Sequence, residues 1–95
     1  MISYKKGAKK LENNYKKALG ILENKIPSAI VLECRLYKGN YVFIISSKES
    51  PCRIWMEIDP SNWTLYSINE GSILLKDMDE WLNSEVLFEK ELKEA

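Results

Sequence analysis

The chain predicts an α+β fold, a single antiparallel four-stranded sheet in meander order, preceded by one amphipathic helix and followed by one or two short helices. Three observations predict it. Residues 8–26 space their apolar side chains three and four apart, residues 29–68 alternate apolar and polar side chains between turn signals, and residues 77–92 return to a broken helical spacing. Ninety-five residues hold one modest core, so residues 1–95 are read as a single domain.

The helix comes first. Ala8, Leu11, Tyr15, Ala18, Leu19, Leu22 and Ile26 form one stripe, Lys9, Lys10, Lys16 and Lys17 lie off it, and Glu12 is placed to pair with Lys16 one turn on. Pro27 ends it, because the residue before a proline is driven out of the helical region.

The first strand, 29–37, is expected to turn Ile30, Leu32, Cys34 and Leu36 inward and Val31, Glu33, Arg35 and Tyr37 outward. Lys38-Gly39-Asn40 is a hairpin turn, and the run 41–47 is apolar on both faces, which predicts a central strand. Strand three, 52–59, alternates Cys52, Ile54, Met56 and Ile58 against Arg53, Trp55, Glu57 and Asp59. Asp59-Pro60-Ser61-Asn62 has turn composition, residues 63–68 make the fourth strand, and Asn69-Glu70-Gly71 breaks it. Asp77 and Glu80 have capping-box spacing for a helix that carries Met78, Trp81 and Leu82 on its apolar side. An unbroken continuation would put Glu85 and Glu89 on that side. The reading therefore interrupts the helix at Asn83-Ser84 and lets Ser84 cap a last one that docks Phe88 and Leu92.

Composition narrows the chemistry. Fourteen basic residues balance fourteen acidic ones, which removes the general electrostatic case for nucleic-acid or membrane-surface binding. The balance is uneven along the chain. Residues 1–25 hold seven Lys against two Glu, and residues 76–95 hold three Lys against seven acids. No segment approaches the length of a membrane span, and no leader-like apolar stretch opens the chain. Cys34 and Cys52 both fall in the apolar phase of their strands and are expected to be free and buried, which predicts a reducing, cytoplasmic setting.

The chain contains no histidine, so the commonest general base and zinc ligand is missing from its inventory. Two inward cysteines without further ligands do not build a zinc site, and the four dispersed glycines make no phosphate-cradling loop. No metal, no cofactor and no enzymatic role are expected. Glu57 and Asp59, about 7 Å apart on one strand face, have no cleft-forming motif around them. The acidic 76–80 stretch repels phosphates at the position where a double-stranded RNA-binding domain needs cations, so nucleic acid is not the expected partner.

The outward sheet face remains. Glu33, Arg35, Tyr37, Arg53, Trp55, Glu57 and Asp59 are predicted to share a mixed-charge surface around large aromatics, the residue types that anchor protein interfaces. The competing expectation is that the C-terminal helices cover Trp55. On this basis the chain is expected to be a non-catalytic protein-binding module, a small inhibitor or antidote such as the immunity protein of a bacterial toxin. An RNA-binding accessory domain using the Lys-rich helix is the alternative, and a small enzyme or ligand carrier the third.

Overall fold

The fold is taken from a computed structural model that describes residues 8–48, 52–74 and 78–89, without the side chains of residues 8–12, 72 and 74. The elements are α1 (Ala8–Lys25), β1 (Ile30–Tyr37), β2 (Asn40–Ser46), β3 (Ile54–Asp59), β4 (Thr64–Ile68), α2 (Glu70–Leu74), α3 (Met78–Leu82) and β5 (Glu85–Glu89). The α+β class holds, but the antiparallel sheet has five strands in the order β4-β3-β2-β1-β5. Where the last helix is expected, residues 85–89 form a strand instead, and Leu92 lies outside the described residues. Val86 and Phe88 have strand propensity, and the open side of β1 supplies backbone partners that so short a helix would leave largely unmade.

β2 is central, as its two apolar faces require. Tyr41, Phe43 and Ile45 join Cys34, Met56 and Ile58 against Ala18 and Leu22 of α1. Val42 and Ile44 join Tyr37, Trp55, Ile73 and Trp81 on the opposite side. The sheet is therefore covered on both faces, by α1 on one and by α2 and α3 on the other. Tyr15, Leu19 and Ile26 of the predicted helical stripe pack at the α1 core, whereas the side chains of Ala8, Leu11 and Glu12 lie outside the described residues.

The Lys38–Gly39 turn carries positive φ at both residues, 51° and 79°, which is the primed geometry whose twist matches that of the flanking strands. At the β3–β4 connection the Asp59 carboxylate accepts from the Ser61 amide at 2.8 Å, and Asn62 Oδ1 accepts from the Thr64 amide at 3.0 Å. Trp63 was expected to open β4. It instead adopts φ 57° in the turn, stacks on Tyr41 at 6.4 Å between ring centroids and receives Lys17 Nζ over its ring at 4.3 Å.

Two departures concern phase. The β1–β2 register shifts between Val31 and Glu33, so Val31 packs on the α1 side and Leu32 on the opposite side, the reverse of strict alternation, and Ile30 is exposed. β3 begins at Ile54, which leaves Cys52 exposed before it, whereas Cys34 is fully buried. Burial, and secondarily Glu33, pushes the Cys34 thiol well above the ordinary thiol range. One thiol per native molecule should therefore react rapidly with a disulfide reagent and the second only after denaturation, with no intramolecular disulfide by mass. Two fast thiols would contradict the placement of Cys34.

Candidate partner-binding surface

The predicted face is built from β1 and β3, whose Glu33, Arg35, Tyr37, Trp55, Glu57 and Asp59 are interleaved by β2 through the pairs Glu33–Ile44, Arg35–Val42, Trp55–Ile44 and Glu57–Val42. The strands thus bring these residues to one side of the sheet. Arg53 precedes β3 and is exposed.

The aromatic members of this set are covered. Trp55 and Tyr37 are each 5% exposed, beneath Trp81 of α3. The Trp81 ring lies 5.0 Å from that of Trp55 and meets the Tyr37 ring edge-on at 5.4 Å. Of the three apolar α3 residues only Trp81 is buried, because a helix of barely more than one turn directs a single large side chain at the sheet. The Trp55 indole N–H is buried with no acceptor among the described residues, a deficit of about 1–3 kcal/mol that the aromatic packing must offset.

Arg35 fastens this cover. Its Nη1 donates to the Trp81 carbonyl at 3.0 Å, which also accepts from the Ser84 amide at 3.1 Å, and more weakly to the carbonyl of Ser84, just past the helix, at 3.5 Å. Its Nε donates to the Glu33 carboxylate, and the guanidinium stands 5.1 Å from the centre of the Trp81 ring. Lys38 Nζ, 3.3 Å from Glu80, adds an exposed ion pair. Arg35 and Glu33 are thus spent on internal structure.

Glu57 is also engaged. Its carboxylate accepts from Asn40 Nδ2 at 3.2 Å, and its hydrogen bond with the Tyr66 hydroxyl pushes that phenol up to about 12. Asp59, which takes the Ser61 amide, has its carboxyl held below the usual range by that turn. Among the described residues no group of three or more carboxylates, thiols or imidazoles is placed to hold a metal, and no helix is long and apolar enough to cross a membrane.

The free apolar surface lies elsewhere, at a place the periodicity did not single out. Of the six exposed large apolar side chains among the described residues, four lie on α3 and β5: Met78 at 43%, Leu82 at 61%, Val86 at 43% and Phe88 at 39%. The same stretch, residues 78–89, carries Asp79, Glu80, Glu85 and Glu89, all exposed, and not one Lys or Arg. The acidic tail was visible in the sequence. Helical spacing, however, turns Met78, Leu82 and Phe88 inward, where the structure leaves them exposed. Compared with known protein families, with curated proteins and with solved structures, the chain matches none.

Proposed function

We propose that the protein is a non-catalytic protein-binding module that occludes a basic surface of another protein, as a small inhibitor or antidote does, for example the immunity protein of a bacterial toxin. The observation that carries this reading is the segment 78–89, where four exposed apolar side chains stand among four exposed acids with no cation in the same stretch. Exposed apolar side chains beside charge support partner contact, and Asp79, Glu85 and Glu89, with Glu80 partly offset by Lys38, favour approach to a cationic partner. Of the face predicted from sequence, the exposed Arg53 is left as a further contact residue, whereas Tyr37 and Trp55 support the contact from beneath by holding α3. Both cysteines are free, which favours a reducing compartment such as the cytoplasm.

The test compares the protein with Leu82→Asp as baits in an extract of the cells that make it. Leu82 is largely exposed, so the variant should melt at the same temperature. The expected result is a protein with a Lys- and Arg-rich contact surface, held by the native chain and bound by the variant at least about thirtyfold more weakly, the effect of losing an interface anchor. Retention of the same proteins by both baits would overturn the reading.

A further inference from the structure

We propose that the outer edge of β5 is a docking site for an extended, cationic segment of a partner protein, which adds to the sheet as a sixth strand. The proposal rests on the binding reading above and specifies its mode.

β5 ends the sheet. Its inner side pairs with β1 through Glu33–Glu89, Cys34–Phe88, Arg35–Val86 and Leu36–Glu85, and among the described residues no strand pairs with its outer side. An edge strand presents a row of amides and carbonyls to any chain that can align with them, and this backbone row supplies affinity without regard to sequence. Side chains then decide which chain is accepted. On β5 only Leu87 packs on the core, and the register shift between Cys34 and Arg35 divides the exposed side chains, Val86 and Glu89 standing on the α3 side of the edge and Phe88 and Glu85 on the α1 side.

Charge selects the occupant. Glu89 lies opposite Glu33 in the register, and the nearest cation on that strand, Arg35, is already bound to Glu33 and to the end of α3. Glu89 therefore has no free cation opposite it inside the sheet, a place that a Lys or Arg arriving from outside would fill. A second copy approaching by the same edge would bring two further glutamates and no cation, so the edge disfavours its own duplicate. The opposite edge, β4, carries the sequence Thr-Leu-Tyr-Ser-Ile with no charged residue, and offers no such selection.

The probes are a blocked peptide of alternating Lys and Val, its Glu–Val counterpart, and a Lys–Val peptide interrupted by proline. Amide chemical shifts and hydrogen exchange of the full chain are the readouts. The Lys–Val peptide should shift residues 85–89 and the facing part of β1, slow exchange of the outward β5 amides, and bind about threefold more tightly than Glu–Val, as one cross-strand ion pair allows, its lysines all lying on one face. Added salt should reduce that difference. Glu85→Lys with Glu89→Lys, both at exposed positions, should reverse the preference. Absence of shifts at 85–89, equal shifts at β4, or equal binding by the proline-interrupted peptide would each overturn strand addition. If these fail while Leu82→Asp still releases the partner, the mode of binding is wrong and the binding reading stands; if Leu82→Asp retains the partner, the binding reading itself is lost.

Discussion

Trp81→Ala should destabilise the protein by about 3–5 kcal/mol, the range for truncating a large buried aromatic side chain. The ring is 4% exposed and touches Tyr37, Trp55 and the Arg35 guanidinium, so its loss removes most of what α3 places on the sheet. The end of α3 should loosen with it, since the Arg35 bond to the Trp81 carbonyl depends on where that helix lies. Leu82→Ala, one residue on and largely exposed, should change stability by less than about 0.5 kcal/mol. Chemical unfolding of the two variants measures the contrast, and both place Ala in the same short helix, which cancels most of the propensity difference. Water admitted to the vacated space can satisfy the Trp55 indole N–H and return part of its deficit, which draws the Trp81→Ala cost toward the lower end of the range. Equal costs for the two variants would mean that α3 does not dock through Trp81.

On the other side of the sheet, Leu22→Ala should cost about 2–5 kcal/mol, whereas Asn13→Ala should stay within about 0.5. Leu22 is fully buried in the cluster that contains Ala18, Cys34, Phe43 and Ile45, and Asn13 is exposed on the same helix. Beyond roughly one methyl-sized gap, a cavity at Leu22 cannot close by rotamer adjustment alone, because the β2 side chains beneath it are held by strands on both sides. Midpoints of denaturant unfolding separate the two outcomes. A small cost at Leu22 would mean that α1 packs through a different face.

Where sequence and structure agree, the deciding forces are local or strongly periodic. The α1 stripe, the Lys38-Gly39 turn, the two-sided apolar character of β2, the β3 alternation from Ile54 to Asp59 and the break after Leu82 each follow from residues close in the chain. Where they differ, a distant partner decides. The segment Glu85-Val-Leu-Phe-Glu fits a short helix or a short strand, and only the unfilled side of β1 selects the strand. The β1 register shift exchanges Val31 and Leu32 between faces, which alternation within one strand cannot foresee. Of the predicted outward face, β1 and β3 bring Glu33, Arg35, Tyr37, Trp55, Glu57 and Asp59 to one side of the sheet, whereas Arg53 precedes β3. That Trp55 is covered depends on Trp81, 26 residues later, and on Arg35 holding the end of its helix.

The pairing of β5 with β1 has a consequence for the order in which the chain acquires its structure. β1 through β4 are neighbours both in sequence and in space, so each pairing closes a short connection. Arg35 reaches Ser84, 49 residues away. The entropy of closing so long a segment must be spent before its contacts return anything, which places this pairing late in folding. During synthesis β1 leaves the ribosome well before β5 exists, and through that interval it is the open margin of a sheet whose Tyr37 and Trp55 also await Trp81. The nascent chain, more than the finished one, is thus the species in need of protection from chance association.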